Sequence, residues 1–260
     1  MPVLSEADLQ RFIQDGFIRL DDAFPRDLAD EARAFLWKET GLSPDDPTTW
    51  TQPVVRLGHY ATQTMRQAAN TPRLHGAFDA LVGPGRWLAR GGLGTFPVRF
   101  PSEQPPGDDG WHVDASFEPP GAASFFDWRV NVASRGRALL MLFLFSDVGE
   151  HDAPTRLRVG SHRDVARILE PHGEQGLSFM ELANQLTRTE GAPEALATGA
   201  AGTVYLCHPF LAHAAQPHRG RTPRFMAQPP LLSNGALHLD SATEPGAPVE
   251  QAIRLALGRG

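Results

Sequence analysis

The spacing of apolar residues changes character near residue 90. Before that point they recur with a helical period: Leu9, Phe12 and Ile13 form a stripe that begins after Ser5 and stops at Asp15-Gly16. Ser5, with Asp8 three residues on, reads as a capping box, and Leu4 stands where a hydrophobic staple belongs. "GFIRLDD" follows as a short strand. A second helix is predicted over 26–40, ended by Gly41. A third opens at Asn70 and Pro72 and carries Leu74, Phe78, Leu81 and Val82.

From Gly91 onward, short apolar runs alternate with Gly and Pro clusters: "GTFPVRF", "GWHVDASF", "RALLMLFLFSDV", "TRLRVGS", "GTVYLCH" and "RFMAQPPLL". Runs of this length at fairly regular spacing predict antiparallel strands in a sandwich or barrel. "ALLMLFLFSDV" reads as a fully buried central strand. Helical spacing returns between Asp164 and Thr189, as an insertion that covers one side. The expectation is one domain over 1–260: a helical part over about 1–90, then a β core over about 91–235 with a helical insert near 164–190.

Bulk composition narrows the class. At 260 residues, 41% hydrophobic and 21% charged, the chain is long enough to bury a real core and has the make-up of a globular protein. Its net charge of −6, without a run of either sign, argues against nucleic acid or an anionic membrane as partner. The single cysteine, Cys207, permits no intrachain disulfide, which fits a reducing, cytoplasmic setting. No signal-peptide pattern opens the sequence, and the longest apolar run, Ala138 to Phe145, is too short to cross a bilayer. Nothing in the sequence fixes an oligomeric state.

The common catalytic signatures are missing: no HExxH, CxxC, Walker A, GxGxxG or GxSxG occurs. What remains is His and Asp chemistry. "DGWHVDASF" places His112 and Asp114 two apart, and on a strand such residues face the same side. The bland reading is a mutually satisfied buried pair. The sharper one is two ligands of an iron(II) whose third ligand is a distant histidine, which leaves open positions for a cosubstrate and dioxygen. "GTVYLCHPFLAHAAQPHRGRTPRF" offers His208, His213 and His218. A 2-oxoglutarate cosubstrate also needs an arginine for its far carboxylate. His208 with Arg219 and His213 with Arg224 share one spacing. Arg219 lies in a turn-rich stretch, whereas Arg224 opens a strand that would hold it rigidly, so His213 and Arg224 are the better pair.

In order along the chain, "LSEADLQRFIQDGFIRLDDAF", "WHVD", "DAPTRLRVGSHR" and "AGTVYLCHPFLAHAA…PRF" resemble the phytanoyl-CoA dioxygenase family of Fe(II)/2-oxoglutarate oxygenases. The resemblance spans about Leu4 to Leu231. It departs where Ala215 replaces a frequent hydroxyl residue, where Asp152-Ala153-Pro154 replaces an Asn-Gly, and where Val159 replaces a proline. It implies a double-stranded β-helix, a jelly-roll or cupin-like barrel with flanking helices. It also implies Fe(II) held by His112, Asp114 and His213, with 2-oxoglutarate on Arg224. Thr155 or Thr222 would make up for the missing hydroxyl. The implied reaction consumes O2 and 2-oxoglutarate, gives succinate and CO2, and hydroxylates a C–H bond of a small organic molecule. Because Asp114 is present, halogenation is disfavoured. Trp111, Phe117, Phe125, Phe126 and Trp128 are candidates to line a substrate pocket, with Arg129 and Asn131 as polar contacts. His162 is expected to close a turn, and His208 to be structural. Two alternatives stay open: a cupin-like metalloenzyme that ignores 2-oxoglutarate, and a non-catalytic binding barrel.

Overall fold

The computed structural model describes residues 2–240 and 246–259. The first part of the chain runs through α1 (Glu6–Asp15), β1 (Phe17–Leu20), α2 (Arg26–Thr40), β2 (Val54–Leu57), α3 (Gln63–Ala69) and α4 (Pro72–Val82). Next come β3 (Phe96–Arg99), β4 (Arg129–Val130), β5 (Leu139–Leu144), β6 (Arg156–Arg158) and α5 (Ser161–Leu169). Then follow β7 (Leu177–Ser178), α6 (Phe179–Ala183), β8 (Glu194–Leu196), β9 (Val204–Cys207) and β10 (His213–Ala214). Last are β11 (Met226–Ala227), β12 (Pro230–Leu231) and α7 (Pro248–Ala256).

The apolar run on β5 sits at the centre, and all six of its residues are buried. Burying side chains of this size stabilises the fold by roughly 1.5–3 kcal/mol each, which makes this strand the anchor of the larger sheet. That sheet has the order β1-β9-β5-β11, with β12 also pairing β5. A smaller sheet has the order β10-β6-β8 and carries His213. Every pairing is antiparallel. Short strands in two antiparallel sheets with helices outside are the core of a double-stranded β-helix. One apolar cluster takes in Phe12, Leu36 and Phe78 from the helices together with Phe143 and Val204 from the sheet.

The helix signals act as the sequence indicates. Ser5 Oγ accepts from Asp8 N at 3.2 Å, Ser5 N donates to Asp8 Oδ2 at 2.9 Å, and Gly16 closes α1 with φ of 86°. The third predicted helix starts one residue later than expected. Thr71, not Asn70, caps α4, because its Oγ1 accepts from Leu74 N at 3.2 Å. Asn70 instead ends α3, a helix the apolar pattern does not announce. The insert is broken into α5 and α6 with β7 between them, since Gly173 and Gly176 interrupt the helical run with positive φ. α7 lies beyond the predicted elements, although Val249, Ala252, Ile253 and Ala256 give it a buried helical face.

Candidate active site

"GWHVDASF" does not form a regular strand. It is tied instead by two isolated bridges, His112 to His213 and Phe117 to Arg129. At the first bridge His112 N donates to His213 O at 3.0 Å and His213 N donates to His112 O at 2.9 Å. This pair of main-chain bonds brings the two imidazoles, a hundred residues apart in sequence, to a ring separation of 4.3 Å. Asp114 Oδ1 lies 3.8 Å from Nε2 of each histidine. The three donor atoms converge within 4.8 Å of one another.

The hydrogen bonds assign the ring protons. His112 Nδ1 faces Gly110 O at 2.9 Å and His213 Nδ1 faces Leu211 O at 3.0 Å, so each Nδ1–H donates to a carbonyl two residues back. In the neutral ring of this tautomer the lone pair is on Nε2. At His213 that lone pair accepts from Gln228 Nε2 at 3.0 Å. Burial, with His112 beside it, pushes His213 down to about 4, so its ring is neutral at pH 7. Burial alone would raise Asp114, but Arg137, His213 and His112 together hold it below the usual carboxylate range. Arg137 Nη1 donates to Asp114 Oδ2 at 2.9 Å and Nη2 to Ala115 O at 3.1 Å, which occupies one carboxylate oxygen and leaves Oδ1 facing the histidines. Two imidazole nitrogens and one carboxylate oxygen with fixed outer partners are the donor set an iron(II) site requires.

The triad opens into a cavity of about 1060 Å³. Arg224 and Thr155 line it as well, as does Ala215. Arg224 is 1% exposed. Its Nη1 donates to Ala153 O and its Nη2 to Pro97 O at 3.4 Å, while its Nε has no partner. Ala153 holds φ of 52°, a left-handed conformation uncommon for a residue other than glycine. Arg99 is joined to Arg224 through paired main-chain bonds of 3.0 and 2.8 Å. Its Nη2 reaches both oxygens of Asp108, and its Nε and Nη1 are buried without partners. Burial first, and then Arg99, push Arg224 well below its ordinary value. Two adjacent buried guanidiniums with free donors suit a carboxylate arriving from the cavity.

Of the remaining sequence candidates, Trp111 lines this cavity, stacked under Arg158 at 4.1 Å and Arg156 at 4.8 Å. Phe125 and Phe126 line it too. Phe117 and Arg129 instead line a separate surface groove. Arg129 binds the carbonyls of Gln175 and Gly176, Asn131 binds Glu174 O, and Trp128 packs on Phe125. These four residues are not brought to the triad. Thr222 is likewise outside the cavity lining, and its carbonyl faces His218 Nε2 at 2.9 Å. Arg219 is half exposed and meets Glu103 at 3.5 Å. His208 is buried against Val249 O. His162 does not close a turn: it opens α5, bonds Ile13 O at 3.1 Å and stacks on His208 at 4.9 Å. Sequence reasoning missed Arg137, Arg99, Gln228 and Phe179, whose ring lies 5.5 Å from that of His112.

Solved structures that share the fold include proteins crystallised with a metal and 2-oxoglutarate. HygX from Streptomyces hygroscopicus, solved with nickel, 2-oxoglutarate and hygromycin B, superposes with a TM-score of 0.53 at 16% identity over 86% of each chain. The carbocyclase SnoK from nogalamycin biosynthesis gives 0.58 at 15% identity, over 94% of this chain and 93% of its own. The epimerase SnoN, in complex with Fe3+, α-ketoglutarate and nogalamycin RO, gives 0.59 at 18%, over 93% and 92%. At these identities the likeness establishes the shared fold, the double-stranded β-helix. No curated protein matches the chain. The family model for phytanoyl-CoA dioxygenase, however, matches residues 12–226, which contain the triad, Arg137 and Arg224, and the chain belongs to the phytanoyl-CoA dioxygenase family of iron- and 2-oxoglutarate-dependent oxygenases.

Proposed function

We propose that this protein is an Fe(II)- and 2-oxoglutarate-dependent dioxygenase that hydroxylates a C–H bond of a small organic metabolite, with succinate and CO2 as coproducts. The observation that carries this reading is the convergence of His112 Nε2, Asp114 Oδ1 and His213 Nε2 in one cavity with the buried Arg224. Bound Fe(II), with 2-oxoglutarate as reductant, supplies the activation of O2. The protein's own residues do the rest. His112, Asp114 and His213 hold the metal, and Arg137 keeps Asp114 ionised and aimed. Arg224 receives the far carboxylate of 2-oxoglutarate, with Thr155 and Arg99 beside it. Trp111 and Phe179 wall the site from water on the His112 side. Hydroxylation is the default outcome, although SnoK and SnoN show that relatives of this fold carry out carbocyclisation and epimerisation.

The chain is proposed to act as one domain in the cytoplasm, on a substrate that is neither nucleic acid nor membrane. The buried free thiol of Cys207 fits a reducing compartment. Among the described residues no helix is long and apolar enough to cross a membrane. The test is an anaerobic titration of apoprotein with Fe(II), then 2-oxoglutarate, watching for a visible metal-to-ligand charge-transfer band. A band that saturates at stoichiometric cosubstrate supports the reading. Iron binding without a band refutes the cosubstrate, and no iron binding refutes the site.

A further inference from the structure

The cavity carries more positive charge than the metal site and its cosubstrate use. Five arginines line it (Arg56, Arg90, Arg99, Arg137 and Arg224) against two carboxylates, Asp108 and Asp114. Both carboxylates are engaged: Asp108 bridges Arg99 and Arg56, and Asp114 is held by Arg137. Fe(II) is a dication and 2-oxoglutarate a dianion, so loading both leaves the surplus unchanged.

Arg90 is where the surplus is least answered. Its backbone is pinned on both sides by one carboxamide: Asn70 Nδ2 donates to Arg90 O at 2.8 Å, and Asn70 Oδ1 accepts from Arg90 N at 3.1 Å. Its guanidinium has no hydrogen-bond or ion-pair partner among the described residues, and its Nε is buried. Burial, and then Arg137 nearby, lower its pKa. A surface arginine in this state would be solvated. A half-buried one facing a cavity carries a desolvation cost that an incoming anion offsets. Arg90 is also distinct from the Arg99–Arg224 pair assigned to 2-oxoglutarate, because its charged neighbour is Arg137 on the Asp114 side.

The other flank of the triad is apolar. Phe179 packs on His112, and Phe125 and Phe126 continue outward from it, 46% and 59% exposed. The metal ligands thus stand between a cationic wall and an aromatic one. We infer that the primary substrate is a small organic acid with an apolar or aromatic body, its carboxylate received by Arg90 and its body laid against Phe179 and Phe125. The inference rests on the oxygenase reading of the same cavity. One free guanidinium fork matches one carboxylate in charge and shape.

The test uses 3-phenylpropanoate and its neutral amide, titrated calorimetrically without O2 into protein loaded with Fe(II) and saturating 2-oxoglutarate. The acid is expected to bind at least about tenfold more tightly than the amide, the worth of one charge-assisted contact. Arg90→Gln should bring both ligands to the amide's level, and Arg90→Lys should keep part of the preference. Both variants should bind 2-oxoglutarate as the parent does, which shows that the fold and the Arg224 end are intact. Equal binding of acid and amide overturns the inference, as does a preference that survives Arg90→Gln, or no binding of either probe. If 2-oxoglutarate itself fails to bind, the oxygenase reading falls. The same pair of probes on unloaded protein then decides the Arg90 site separately: a preference lost in Arg90→Gln upholds it, and any other result overturns it.

Discussion

His162 should make the fold acid-sensitive well above the range where carboxylates titrate. Its ring is 1% exposed, donates through Nε2 to Ile13 O, and leaves Nδ1 buried with no partner. Burial pushes it from 6.5 down to about 3, and Arg163 adds to the shift. The unfolded chain, with the ordinary value, therefore binds the proton first. Stability is intact above about pH 6.5 and declines as the pH falls toward about 3, at up to about 1.4 kcal/mol per pH unit. Between pH 7 and pH 5 this one ring should cost about 2 kcal/mol, a large part of the 5–15 kcal/mol typical of a folded protein. Urea unfolding of metal-free protein at the two pH values, followed by tryptophan fluorescence, measures the loss. His162→Gln keeps an N–H for Ile13 O and removes the titration. Its own cost at pH 7 drops out of the comparison, and its loss from pH 7 to pH 5 should be about 2 kcal/mol smaller than the parent's. The remainder belongs to His208, His213 and His218, all pushed down chiefly by burial. An equal loss in parent and variant would refute the claim that this ring is held neutral.

Three further outcomes are expected. Arg224→Met should weaken 2-oxoglutarate binding by about ten- to a hundredfold, the worth of a charge-assisted contact, whereas Arg219→Ala should leave it unchanged. Calorimetry on nickel-loaded protein separates the two, and unchanged affinity in Arg224→Met would remove it from the cosubstrate site. Arg137→Met strands the Asp114 carboxylate and should destabilise metal-free protein by about 3 kcal/mol, but metal-loaded protein by clearly less, because the dication then compensates the charge. Equal thermal shifts with and without metal would argue that Asp114 is not a ligand. Gly176→Ala should cost more than about 3 kcal/mol in thermal unfolding. A Cβ there would sit 2.0 Å from Val130 O at a φ of +59°, with main chain on the other side of the clash.

The structure shows why some of this was readable in the sequence. Buried strand β5 and helices α1 and α2 carry their instructions locally, as an unbroken apolar run and as capped, periodic stripes. That His112, Asp114 and His213 come together, with Arg224 in the same cavity, was anticipated from residue type, spacing, strand context and the family resemblance together. Their partners were not, because contacts between distant segments supply them. Arg137 reaches Asp114 from the loop before β5, and Phe179 reaches His112 from the start of α6; no period or motif marks either. Phe117, Trp128, Arg129 and Asn131 lie outside the lining of that cavity. Phe117 N donates to Arg129 O at 3.0 Å and Arg129 N to Phe117 O at 2.9 Å, so this bridge fixes both residues on a different groove. Closeness to "WHVD" in sequence says nothing about that.

The two histidines of the triad are oriented by main-chain groups. Each histidine is fixed by a carbonyl two residues back, Gly110 O for His112 and Leu211 O for His213, and the segments are fixed to each other by their own N–H and C=O groups. None of these four contacts depends on a neighbouring side chain, so glycine at 110 and leucine at 211 serve equally well. Asp114 is the exception. A carboxylate has no proton to give a carbonyl, so it must be aimed by a donor, and here that donor is the side chain of Arg137. Gln228, which donates to His213 Nε2, and Phe179, which packs on His112, touch the rings with side chains, but the Nδ1 bonds that orient the rings are main chain. Asp114, by contrast, is aimed by the side chain of Arg137, so substitution there reaches the carboxylate directly.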